Sequence, residues 1–151
     1  MLPIRKIVCP TDFSEPSFKG INTGIELAEH FDAELVLVNV ISPVPLMAGA
    51  DAPTGFHIAT VMQDMQASAE NAISELIEEK VPRGLSARST VVQGKPADEI
   101  VRIADEEEAD MIVIATHGES GWHKFLFGSV AERTVRTASC PVLTVQQGKQ
   151  P

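Results

Sequence analysis

Residues 34–41 read Glu-Leu-Val-Leu-Val-Asn-Val-Ile, apolar at every position except Glu34 and Asn39. A strand with one face in water alternates apolar and polar side chains. A strand covered on both faces is apolar almost throughout. This run therefore calls for a sheet with helices on both sides. Residues 111–115, Met-Ile-Val-Ile-Ala, carry the same signal.

Segments of two periods alternate around these runs. Residues 4–9 read as a strand, with Pro10 expected to stop the ladder. Ser14 is a good N-cap, followed by Glu15 and Pro16. The helix it opens runs to about Phe31, with Phe18, Ile21, Ile25, Leu27, Ala28 and Phe31 near a 3.6 period. Residues 42–56 hold three prolines and two glycines and read as a long loop. A helix from about Thr60 to Lys80 aligns Met62, Met65, Ala69, Ile73, Leu76 and Ile77 in one stripe that belongs in the core. Residues 85–92 alternate, which points to an edge strand. Gly94-Lys95-Pro96 starts a third helix, with Ala97, Ile100, Val101, Ile103 and Ala104 inward. Residues 110–116 form a fourth strand, residues 128–137 a fourth helix, and residues 140–145 a last strand at a sheet edge.

The order βαβαβαβαβ implies one α/β domain across residues 1–151, a doubly wound, mostly parallel sheet with right-handed crossovers. Hydrophobic residues make up 44%, enough for a full core. No apolar run approaches the ~20 residues that span a bilayer, and the N-terminal segment lacks a signal layout, so no membrane role and a cytoplasmic location are expected. Cys9 and Cys140 each precede a proline and read as free thiols at buried strand ends. A net charge of −9 argues against general nucleic-acid binding, though a local pocket can still hold one nucleotide.

Ligands in such sheets bind at the carboxyl ends of the strands, where the winding reverses. Gly118 follows the fourth strand, and Gly128-Ser129-Val130 opens the last helix. Main-chain N–H groups and the helix dipole favour an anion there. Each charge-assisted hydrogen bond contributes ~1.5–3 kcal/mol, so three or four approach the ~8 kcal/mol of a micromolar site. A turn glycine followed by an ordinary helix cap fits the same residues. Asp12, at the end of the first strand, suits a pair of hydroxyls and equally an Asx-turn. His117 has no partner at metal-ligand spacing and is not expected to catalyse. Trp122, Phe125, Leu126 and Phe127 are expected to cover the sheet end, with a lid over the phosphates or a partner-chain contact as the other readings, and His123 and Lys124 fall near any phosphate.

Pro10-Thr11-Asp12-Phe13-Ser14, Ala115-Thr-His-Gly118, residues 127–133 (Phe-Gly-Ser-Val-Ala-Glu-Arg) and Cys140-Pro-Val-Leu143 together resemble the universal stress protein family, over essentially the whole chain. The resemblance implies a Rossmann-like, adenine nucleotide alpha hydrolase-like sheet of five parallel strands in the order 3-2-1-4-5. It implies a homodimer through residues 141–145, the segment starting at Pro141. For one branch it implies ATP, with magnesium or manganese on the phosphates left open. By position, Asp12 would take the ribose hydroxyls, Pro10 and Thr11 would line adenine and ribose, and Val40 would wall the adenine. Gly118, Gly128, Ser129 and Val130 would hold the phosphates. That branch carries Gly-x-x-Gly, nine residues, then Gly-Ser or Gly-Thr; here the first glycine is Ala115. The extra methyl matters only if that position needs a positive φ.

The leading expectation is thus a nucleotide-binding regulatory protein rather than an enzyme. Its rivals are a stress protein that acts through protein contacts without nucleotide, and a weak ATPase. The last lacks the Gly-x-x-x-x-Gly-Lys motif and an obvious base.

Overall fold

The computed structural model describes residues 2–43, 55–117 and 128–146. Its elements in chain order are β1 (Lys6–Pro10), α1 (Glu15–Phe31), β2 (Glu34–Ile41), α2 (Gly55–Lys80), β3 (Ala87–Gln93), α3 (Pro96–Glu106), β4 (Met111–Ala115), α4 (Ser129–Thr137) and β5 (Val142–Val145). All pairings are parallel, and the strand order is β3-β2-β1-β4-β5. The doubly wound sheet expected from the alternation is present, with β3 and β5 at its edges.

Strand alternation divides the core in two. Ile7, Cys9, Leu35, Leu37 and Val113 face α1 and α2, where they meet Ile21, Ile25, Ala28, Ile73 and Leu76. Val8, Val36, Val38, Ile112 and Ile114 face α3 and α4, where they meet Ile100, Ile103, Ala104 and Ala131. β2 is buried through both faces from Leu35 to Val38, which is why its sequence is a continuous apolar run.

Three expectations need correction. Pro10 does not stop the ladder: it is the last residue of β1 and pairs with Val38. Odd-numbered residues of β1 bond to β2, since Thr11 N–H donates to the Val38 carbonyl and Glu34 N–H to the Arg5 carbonyl. The missing N–H of Pro10 therefore faces β4, whose pairing with β1 extends only from Ile7 to Val8. α2 begins at Gly55, before the Thr60 start expected from periodicity, so the end of the presumed loop is helical. The stripe on α2 is core only from Ala69 onward, because Met62 is half-buried and Met65 is 41% exposed.

The amino ends of the strands are tied by charge. Lys6 Nζ lies 3.1 Å from Glu107 and 3.6 Å from Glu34, and Arg88 bonds both Glu34, at 2.7 Å, and Glu107. Asp110 accepts the N–H groups of Arg5 and Lys6 at 2.7 and 3.0 Å. Among the described residues, no helix is long and apolar enough to cross a membrane.

Candidate functional site

β1 and β4 part company after Val8 and Ile112. β2, by contrast, stays with β1 to Pro10 and Val38. The divergence opens a cleft of about 370 Å3 at the carboxyl ends of the strands, on the α3/α4 side. Its floor is Pro10, Val38, Val40 and Ile114, the residues that alternation turns to that face. α3 supplies one wall through Pro96 and Ile100, and the start of α4 supplies the other through Gly128, Ser129, Val130 and Ala131.

The structure brings Pro10, Thr11, Asp12, Val40, Ala115, Gly128, Ser129 and Val130 together on this one cleft. Gly118, with the apolar segment containing Trp122 and Phe125, lies outside the described residues. His117 lines the cleft, its Nδ1 2.9 Å from the Thr116 hydroxyl. Among the described residues, no group of three His, Cys, Asp or Glu side chains is placed to hold a metal ion.

Gly128 is the N-cap of α4, and its backbone is extended. Its N–H donates to the Thr116 carbonyl, and a side chain would not fit: a Cβ there would stand 2.9 Å from that carbonyl oxygen. The close approach, not a special φ, explains the glycine. It locks the start of α4 against the end of β4. Glu132 N–H closes the first helical bond to the Gly128 carbonyl. The N–H groups of Ser129, Val130 and Ala131 have no acceptor within the helix and sit at the positive end of its dipole.

Ala115 resolves differently from the family pattern it departs from. It lies within β4, paired with Val145, and is not in the left-handed region. Alternation with Ile114 turns its methyl toward α1, away from the cleft floor. There it meets Gly20, whose own Cβ, were it present, would lie 3.7 Å from the Ala115 methyl and 3.1 Å from its nitrogen. The extra carbon is accommodated by a glycine on the helix behind the sheet.

The loop after β1 is held in detail. Asp12 Oδ1 accepts the Ser14 N–H at 3.0 Å and also the Ser14 hydroxyl, so the Asx-turn anticipated as one reading of Asp12 is present. Phe13 takes a left-handed φ of 63°, which costs a bulky residue ~1–3 kcal/mol. Ser14 caps α1 as expected, accepting the Ser17 N–H, with Pro16 in the first turn. Asp12, on this fixed turn, lines the same cleft as the donor-rich start of α4 and the apolar floor. Such an arrangement suits a ligand with an apolar ring, hydroxyls and an anionic tail.

Sequence reasoning left out Val38, Ile114, Pro96 and Ala131, which only the sheet order and helix placement bring to the cleft, and two residues whose local roles differ from their sequence reading. The periodicity of α3 assigns Ile100 to the core alone, yet it lies a turn into the helix at the carboxyl ends of the strands and so also walls the cleft. Asn39 is the lone polar residue inside the apolar run from Leu35 to Ile41, and that break in the run is its signal in the sequence. Its Nδ2 donates to the Thr11 carbonyl at 2.9 Å.

Comparison with known proteins agrees with this architecture. The profile of the universal stress protein family matches residues 3–146. A universal stress protein of Methanocaldococcus jannaschii is 34% identical over 146 residues, covering 97% of this chain and 84% of that protein. A second universal stress protein of that organism has a solved structure similar to this one, with a TM-score of 0.82 at 26% identity, 97% of this chain and 99% of that one being covered. A solved universal stress protein in complex with cAMP shares the fold, with a TM-score of 0.62 at 22% identity over 95% of this chain and 97% of that one. The chain is a member of the universal stress protein family.

Proposed function

We propose that this protein binds an adenine nucleotide, ATP foremost, in the cleft between the ends of β1 and β4, and that it regulates through occupancy rather than turnover. The observation that carries the reading is the direction of Ala115. Its methyl faces Gly20 behind the sheet, so the departure from the Gly-x-x-Gly pattern takes no room from the cleft. Adenine would lie on Val40 and Val38 against Ile100, the ribose hydroxyls on Asp12, and the phosphates at the N–H groups of Ser129, Val130 and Ala131. The complex of a family member with cAMP supports an adenine nucleotide as the ligand class. At nucleotide ~1000-fold above the dissociation constant, occupancy stabilises the fold by ~4 kcal/mol, enough to drive a switch. We further propose a homodimer formed through β5, the apolar edge of the sheet.

Calorimetric titration with ATP, with and without magnesium, tests the proposal. We expect micromolar binding, about tenfold or more weaker in Asp12→Ala. Ala115→Gly should stay within about threefold of the parent, since the methyl it removes does not reach the ligand. No heat and no melting shift in millimolar Mg-ATP would sink the reading. Phosphate release at background level in the parent and in Asp12→Ala is the expected result for a binding protein; turnover that falls with Asp12 would make it an ATPase.

A further inference from the structure

Asn39 is buried on the α1/α2 face of β2, in line with Leu35 and Leu37. A buried amide is costly unless its groups are used. Its Nδ2 holds the Thr11 carbonyl at 2.9 Å, the carbonyl of the peptide group that leads into Asp12. The preceding peptide group is fastened too, because Thr11 N–H donates to the Val38 carbonyl at 2.8 Å. The hydroxyls complete the clamp. Ser17 Oγ donates its one proton to the Ser14 carbonyl at 2.8 Å. The Thr11 hydroxyl then donates to Ser17 Oγ at 3.0 Å and accepts the Phe13 N–H at 3.0 Å. Both donors of Thr11 are therefore spent inside the protein, which leaves it only acceptor capacity toward the cleft.

We infer that Asn39 is a positioning residue for the ribose end of the site: by fixing the Thr11–Asp12 peptide plane it places the base of the Asx-turn that aims the Asp12 carboxylate, and with it supports the preference for a ligand carrying ribose hydroxyls. The inference rests on the nucleotide reading above. A carboxylate that accepts two vicinal hydroxyls needs good geometry to both, so a Thr11–Asp12 peptide that loses its carbonyl anchor, held then only by the Asx-turn to Ser14 and its neighbours, weakens that contact while leaving the adenine wall and the α4 donors untouched.

The experiment compares ATP with 2′,3′-dideoxy-ATP in the parent, Asn39→Ala and Asn39→Leu, the last keeping the buried volume without the donor. We expect the parent to favour ATP by about tenfold or more. Both Asn39 variants should bind the dideoxy nucleotide within about threefold of the parent and lose the preference, their ratio approaching one. In an Asp12→Ala background, Asn39→Ala should leave the ratio unchanged. An equal loss on both nucleotides, with the ratio kept, would make Asn39 merely structural and overturn the inference. A parent that binds both nucleotides equally overturns it as well, while leaving nucleotide binding intact. A parent that binds neither overturns the nucleotide reading and the inference together. Should Asn39→Ala fail to fold, the Leu variant carries the same ratio.

Discussion

A methyl group built on Gly24 would stand 2.2 Å from the Cys9 sulfur, closer than any real contact, whereas the next atoms, Leu35 Cδ1 and Cys9 Cβ, lie at 3.5 and 3.7 Å. Cys9 is fully buried, and burial pushes its thiol pKa up, so it packs as a small neutral group. The glycine lets α1 lie directly on β1. Gly24→Ala should therefore cost ~1–3 kcal/mol by forcing α1 off the sheet. In a Cys9→Ala background the same change should be neutral or stabilise by up to about 1 kcal/mol, since alanine is the better helix former. Urea midpoints of the four proteins give the cycle, and an equal penalty in both backgrounds would acquit the sulfur. Neither this contact nor the one between Gly20 and Ala115 was legible in the sequence. Helical periodicity identified α1, and the motif comparison singled out Ala115. Whether a methyl helps or harms depends on which face of β4 it occupies and what the opposing helix presents there, and a spacing pattern carries neither fact.

The elements themselves were far more legible, because each rests on a local period. The apolar run of β2 and the alternation of β3 gave central and edge positions that the sheet order bears out. Periodicity failed where local chemistry and tertiary placement part: Pro10 stays in β1 because its missing N–H points to a side already unpaired, and α2 starts early at Gly55. The ion network was invisible for another reason, since Lys6, Glu34, Arg88 and Glu107 come from four segments that only the sheet order assembles. It holds the end of α3 to β1, β2 and β3. The hydrogen bond from Arg88, helped by Lys6, holds the Glu107 carboxyl down to about 2 from an ordinary 4.5. A carboxylate whose pKa is lower folded than unfolded stabilises the fold above the unfolded value, and that contribution fades as pH falls from about 4.5 toward 2. The groups are partly exposed, so screening limits the effect to about 1 kcal/mol. Glu107→Gln should thus be less stable than the parent near neutral pH and indistinguishable from it near pH 2. A gap that persists in acid would mean the substitution acts through packing rather than charge.

At the scale of the whole molecule the sheet has two edges, and they are not equivalent. On β3, the bonds from Leu35 N–H to the Ser86 carbonyl and from Gly94 N–H to the Ile41 carbonyl set the even-numbered residues toward β2 and the odd ones outward. The outward carbonyl of Val91 is taken by Gln66 Nε2 of α2 at 3.1 Å, and Arg88 adds charge to the strand. Such an edge is blunted against pairing. On β5, Ile112 N–H donates to the Pro141 carbonyl and Thr116 N–H to the Val145 carbonyl, so odd residues face β4 and the main-chain groups of Val142 and Thr144 face out. Among the described residues no side chain bonds those outward groups, and Leu143 is 38% exposed beside them. Two copies related by a two-fold axis would pair these strands antiparallel, each supplying the same outward groups. Thr144→Pro isolates that contact. Proline at an outward position removes no bond to β4 but leaves the facing copy one donor short and sterically blocked. Light scattering should find the parent as a dimer and Thr144→Pro as a monomer with unchanged circular dichroism. A parent that stays monomeric at every concentration tested contradicts the proposed assembly, and a Thr144→Pro protein that still dimerises places the interface elsewhere. Because the cleft proposed to hold nucleotide is lined by residues of β1, β2, β4, α3 and α4 of one chain, the monomeric variant should also keep the parent's ATP affinity within about threefold, which separates assembly from ligand binding.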